Sequence, residues 1–140
     1  PGNVAPASLT RQPAHIIDVM PTCIELAETK YPETYAGHKI IPVEGKSMLP
    51  IFQGETRQPH ESLFWELRNN QAVRPGQWKL VADRTINRWA LYDLEQDRTE
   101  TNNLASHYPE QVAQMKAAWQ KWAEMTGVAN QKHQRGKQIP

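Results

Sequence analysis

Asp93, Asp97 and Glu100 fall close together in the chain and are the carboxylates best placed to be imagined around a divalent cation. A calcium loop needs oxygen ligands at fixed offsets, and Asp97-Arg98-Thr99-Glu100-Thr101-Asn102-Asn103-Leu104 lacks that spacing. The run reads instead as a loop whose acidic and Asn side chains accept from its own N–H groups, with Leu104 as an anchor into the core. The five histidines, His15, His38, His60, His107 and His133, are scattered, with no pair at helical ligand spacing. His60 is the most interesting, because it lies beside Glu61 in a loop entering a strand, where a side chain can face a neighbouring cleft. Cys23, in an apolar stretch beside Ile24, is expected to be a buried, inert thiol. Ser8 and Ser47 lack the Gly-x-Ser-x-Gly setting of a hydrolase nucleophile. Arg68, Arg74 and Lys79 could bind an anion such as sulfate or phosphate, although on an exposed strand face such residues more often only solubilise. Trp65, Trp78, Trp89, Trp119 and Trp122 could stack on sugars or bases, but their placement on strands and on one helical stripe favours a shared core. These residues form no self-sufficient catalytic set, and neither a catalytic residue nor a metal ligand is assigned to the chain.

The elements that would position them are legible from periodicity. Ile16, Ile17, Val19, Met20, Ile24, Leu26 and Ala27 form an apolar set interrupted by Pro21, which predicts a short turn at 15–19 and then a helix with Pro21 in its first turn. The stretch 31–45 reads as a loop with an extended piece at Lys39 to Pro42. Ser47 should cap a single helical turn that ends at Gly54. From Ser62 onward Leu63, Trp65 and Leu67 alternate with polar residues, the period of a half-buried strand. Asn69-Asn70 is suited to a hairpin turn, and Gln71 to Arg74 then pairs back. Pro75-Gly76 predicts a type II turn, followed by a strand carrying Trp78, Leu80 and Ala82. A turn at Asp83 to Asn87 leads to a fourth strand, Trp89 to Leu94. Val112, Met115, Ala118, Trp119, Trp122 and Met125 recur at helical spacing between Glu110 and Met125 and should cover one face of the sheet, with Gly127 as the stop. The fold class is therefore α+β: a four-stranded antiparallel meander packed by a carboxy-terminal helix and preceded by helix and loop elements.

Bulk composition narrows the function classes. With 140 residues there is room for one moderate core. A formal charge of +1 gives no reason to expect nucleic acid or an anionic membrane as partner, and no apolar run is long enough to span a bilayer. One cysteine rules out an internal disulfide. Pro1-Gly2-Asn3-Val4-Ala5-Pro6 reads as a loop with no signal-peptide pattern, so the chain is expected to be a piece of a longer protein.

Six segments in fixed order resemble the carboxy-terminal part of the sulfatase family, closest in wording to bacterial arylsulfatases. They are His15-Ile16-Ile17-Asp18-Val19-Met20-Pro21-Thr22, Gly45-Lys46-Ser47-Met48-Leu49-Pro50, Leu63-Phe64-Trp65-Glu66, Ala72 to Leu80, Leu91 to Leu104, and the Trp-rich helix after Pro109-Glu110. The resemblance covers 1–128. It implies that residues 1–54 are the last elements of a larger α/β domain similar to alkaline phosphatase, that 55–128 form a small carboxy-terminal subdomain, and that 129–140 are a disordered tail. It also implies a calcium ion and a formylglycine in the complete enzyme. The formylglycine arises in a Cys/Ser-x-Pro/Ala-x-Arg motif, which Cys23-Ile24-Glu25-Leu26-Ala27 does not match, so both groups are expected upstream of this chain.

Under that resemblance the loop at Arg57 to His60 and the hairpin at Glu66 to Asn70 face substrate, with His60, Glu66, Arg68, Asn69 and Arg74 as candidate substrate-binding residues. Many relatives carry His after the strand's Glu, where this chain has Leu67. The implied partners are the rest of the large domain and a sulfate ester, and the implied location is periplasmic or secreted. Two other readings stay open: a free-standing module that binds sulfated glycan through Arg74 and Lys79, and the same part of a related phosphoesterase.

Overall fold

The computed structural model describes residues 4, 6–68, 70–83 and 88–128. They fall into two compact units, one up to His60 and one from Glu61.

The first unit is built from short elements. His15 caps a 3-10 turn over Ile16–Asp18: its side chain accepts from the Ile17 N–H, while the Asp18 carboxylate accepts from the His15 N–H at 2.8 Å. The chain runs on into helix α1, Val19–Leu26, with Pro21 in the first turn, where its missing N–H has no partner to lose. Strands β1, Thr34–Tyr35, and β2, His38–Lys39, form a small antiparallel hairpin. The extended piece thus lies earlier than Lys39 to Pro42, because Ala36 (φ 49°) and Gly37 (φ 81°) supply the positive angles of a tight turn. Helix α2, Leu49–Phe52, is one turn, with the Ser47 Oγ accepting from the Leu49 N–H at 3.1 Å and Gly54 (φ 85°) following it.

Among the described residues of this unit only Asp18 and Thr22 are buried. Ile16, Val19, Met20, Leu26 and Ile41 are between 46% and 81% exposed. Cys23 is also exposed, not buried as expected. Thr22 is the α1 residue turned inward, and a step of about 100° along a helix rotates its neighbour away from that face.

The second unit is the meander. Strands β3 (Leu63–Leu67), β4 (Asn70–Arg74), β5 (Trp78–Asp83) and β6 (Arg88–Asp93) lie in sequence order, each antiparallel to the next. Their register aligns Phe64, Val73, Leu80 and Leu91 in one row across the sheet. Helix α3, Pro109–Met125, covers this row with Met115, Trp119 and Ala123, flanked by Val112 and Trp122. Phe64 and Trp122 stack with centroids 5.3 Å apart and planes 6° apart. The Trp119 Nε1–H donates to the Trp65 carbonyl at 3.0 Å, tying helix to strand backbone.

Three local expectations shift. The helix-covered face of β3 takes Phe64, so Trp65 lies on the opposite face, and Leu67 is 68% exposed. Pairing of Phe64 with Val73 fixes the register and makes Leu67 face Asn70, so Asn70 belongs to β4 and Arg68 (φ 51°) enters the hairpin turn, where Asn69-Asn70 was expected. At the next turn the Trp78 N–H donates to the Pro75 carbonyl at 3.1 Å, which makes Gly76 (φ 57°) the first central residue, not the second. Positive φ there gives the primed twist that matches antiparallel strands, whereas a type II turn would splay them.

Asn69, the turn at 84–87 and the segment 129–140 lie outside the described residues. The outer edge of β6 is covered locally: Asn103 Oδ1 accepts from the Leu91 N–H at 3.1 Å, and the Leu104 N–H donates to the Leu91 carbonyl at 2.8 Å.

Candidate functional site

The most developed polar site is centred on Asp18 in the first unit. Its side chain is fully buried and receives four N–H donors. Oδ2 accepts from the His15 N–H at 2.8 Å and from an Arg57 guanidinium N–H at 2.8 Å. Oδ1 accepts from the Lys46 N–H at 2.9 Å and from His60 Nε2 at 2.7 Å. An ionised carboxylate only accepts, so His60 carries its proton on Nε2. Arg57 spreads its remaining donors over the Pro13 carbonyl at 2.7 Å and the carbonyls of Lys46 and Ser47. Lys46 Nζ reaches the Pro59 carbonyl at 2.7 Å.

Local sequence explains why these groups meet. Thr22, one helical turn after Asp18, donates its hydroxyl to the Asp18 carbonyl at 2.6 Å and accepts from the Met48 N–H at 2.9 Å. Gly45 lets the following loop press onto the turn, since a Cβ there would lie 1.9 Å from the Ile17 carbonyl oxygen. Three segments, around 12–22, 45–48 and 55–60, therefore close on one carboxylate.

Burial pushes the Asp18 carboxyl upward, but the donors from Arg57, Lys46, His15 and His60 outweigh it and hold the group well below the usual carboxylate range. Burial lowers His15; Asp18 opposes that shift and His60 adds to it. With its acceptor positions filled by N–H donors, Asp18 is unsuited to act as a base or to ligate a metal.

The candidate substrate residues are divided between the two units, and those described in the second lie at both ends of β4. His60, only 9% exposed at its side chain, is engaged by Asp18 in the first unit. Glu66, half-buried, and Arg68, exposed, lie at the hairpin end of β3. Arg74 is at the far end of β4, opposite Leu63, and its Nε–H donates to the Gly76 carbonyl at 3.0 Å. Lys79 forms an ion pair with Glu100.

The acidic run anchors its own loop. Asp97 Oδ2 accepts from the N–H groups of Thr101 (2.7 Å) and Asn102 (2.8 Å), and Oδ1 from the hydroxyls of Thr99 and Thr101. The Asn102 N–H contributes most to lowering the Asp97 carboxyl; slight burial opposes it, and the Thr101 and Thr99 donors add to the lowering. Asp93 accepts from the Glu95 N–H and from Gln77. Tyr92 is raised by burial, then by Glu100 and Asp97. Among the described residues no group of three His, Cys, Asp or Glu side chains is arranged to hold a metal ion. The acidic side chains spent on backbone N–H groups do not fit calcium, and the residues after Cys23 do not fit formylglycine formation.

Sequence reasoning placed Arg57 in a substrate-facing loop but missed it as the partner of Asp18. A charged Asp18 inside an otherwise apolar set was the available signal, because a buried carboxylate requires a cationic partner from elsewhere in the chain.

The fold recurs in solved sulfatase structures. A 2-O GAG sulfatase structure aligns with TM-score 0.60 and 22% identity, over 82% of this chain and 26% of that one. Ps i-CgsB, solved in complex with k-i-k-neocarrahexaose, aligns with TM-score 0.59 and 23% identity over 80% of this chain and 24% of its own. The chain belongs to the N-sulphoglucosamine sulphohydrolase C-terminal family, whose profile it matches over residues 1–127. Similar curated proteins include an uncharacterized sulfatase of Schizosaccharomyces pombe, 28% identical over 91% of this chain, and a sulfatase of Formosa agariphila, 30% identical over 79%. The chain spans 24% and 22% of the lengths of these two relatives.

Proposed function

We propose that this chain completes the fold of a sulfuric ester hydrolase and shapes its substrate cleft, with the chemistry performed by residues the chain does not contain. The carrying observation is the first unit's inverted distribution: Asp18 and Thr22 inside, and Ile16, Val19, Met20 and Leu26 facing out. Such a surface suits a segment that packs against the rest of a larger α/β domain, and the chain's coverage of about a quarter of its relatives supports the same reading. Calcium and formylglycine belong to that remainder. Within the chain, Glu66, Arg68 and Asn69 at the hairpin, with Arg74 as a more distant cation, are the residues offered to substrate. His60 contributes by holding the loop before β3. Export to the periplasm or the medium goes with this reading on family resemblance, and among the described residues no helix is long and apolar enough to cross a membrane.

The test compares the chain alone with the chain joined to the upstream part of its sulfatase, using an aryl sulfate and the matching aryl phosphate. Sulfate turnover only in the joined form supports the reading. Turnover by the chain alone would sink it, and preference for the phosphate would place the protein among the related phosphoesterases. The glycan-module alternative is weakened because Lys79 is paired with Glu100.

A further inference from the structure

We propose that Asp18 is a latch that holds the segments of the first unit together, and that acid opens this unit while the second stays closed. Among the described residues the buried centre of the first unit is polar, made of Asp18 and Thr22. There one carboxylate joins three segments that are distant in sequence. The turn supplies His15, the loop after Gly45 supplies the Lys46 N–H, and the loop before β3 supplies Arg57 and His60.

The donors are complementary. The Arg57 guanidinium also spans the carbonyls of Pro13, Lys46 and Ser47, so it links the same three segments a second time. The charged and titratable groups around the carboxylate are Arg57, His60, His15 and Lys46; of the last, the N–H touches Asp18 while the ammonium holds the Pro59 carbonyl. Protonating Asp18 removes the charge that all four N–H groups share and turns one of its oxygens into a donor. Protonating His15 at Nδ1 removes the acceptor of the Ile17 N–H at the start of the turn. Both events loosen the same centre. The second unit has a different basis, with Val73, Leu80 and Leu91 fully buried under Trp119. Nothing in that apolar packing titrates.

Hydrogen exchange at these residues in the chain joined to the upstream part of its protein tests this without any assay of catalysis, so the outcome is independent of the sulfatase reading. The reporters are the amides of His15, Lys46 and Met48 for the first unit, and of Leu80 and Leu91 for the second. Asp18→Asn should lower protection at the first set by at least about tenfold, because hydrogen bonds to a charged group are lost, and leave the second set unchanged. His60→Gln, which keeps an N–H for Oδ1, should retain more protection than His60→Leu. In the unaltered chain, lowering the pH should release the first set before the second. Unchanged protection at Lys46 in Asp18→Asn, equal behaviour of His60→Gln and His60→Leu, or loss of both sets at the same pH would each overturn the proposal.

Discussion

The Arg57 guanidinium lies 2.8 Å from the Asp18 carboxylate, with only 5% of one side chain and none of the other exposed. A pair so enclosed depends on both members. Removing one leaves a buried charge without its counterion, at a cost of about 3–5 kcal/mol. Arg57→Met is therefore expected to destabilise the first unit by roughly that amount, read from hydrogen exchange at Lys46 and Met48. Arg57→Lys should recover only part of the loss, because an ammonium cannot span Asp18 and the Pro13 and Lys46 carbonyls together.

Stability should fall with acid in two stages. His15 is lowered from its ordinary 6.5, so the unfolded chain takes up that proton first, and stability declines as the pH drops through that region. Asp18 is lowered from 3.8, so its contribution is complete above that value and is lost as the pH falls towards its depressed native value. Denaturation followed between pH 8 and 2 checks both stages. His15→Gln should abolish the first and keep the second.

Gly45→Ala should disrupt the first unit by about 3 kcal/mol or more, as overpacking against rigid groups does. The added Cβ would meet the backbone of Ile17 and Asp18, none of it able to rotate away. Loss of exchange protection at Lys46 is the measurement.

In the second unit Leu91→Ala should cost about 2–5 kcal/mol, since Leu91 is fully buried in the row beneath α3. Urea denaturation followed by tryptophan fluorescence reads it cleanly, because all the tryptophans lie from residue 65 onward.

Arg68→Asn should stabilise the hairpin by about 0.5–1 kcal/mol, since Asn tolerates the left-handed region better than Arg. Arg68 holds φ 51° at the turn between β3 and β4. If Arg68 also meets substrate, the joined enzyme will gain stability and show a raised KM. The two readouts separate the roles.

The meander was readable because its signals are local. Alternation around Trp78 to Ala82, the Pro75-Gly76 turn and the helical stripe around Met115 and Trp119 each need only a few neighbouring residues. Single-residue register was less readable. Whether Phe64 or Trp65 faces the helix is decided by its row with Val73, Leu80 and Leu91, a property of four strands together. The first unit was harder still. His15, Asp18, Gly45 and Ser47 stood out as separate motifs, but nothing near Asp18 in the chain names Arg57 or His60 as its partners. Cys23 was misplaced for a related reason: an apolar stretch was assumed to face inward, whereas this unit turns its polar residues there.

That inversion has a thermal consequence. The heat-capacity change of unfolding comes mainly from apolar surface newly wetted. In the chain taken alone, a body whose buried residues among those described are Asp18 and Thr22 has little such surface to release from its centre, so its stability varies gently with temperature and loses little on cooling. The sheet and α3, closed around Leu80 and Leu91, follow the steeply curved profile of an apolar core. One chain thus contains two bodies with different thermal responses, and a single melting temperature would describe neither.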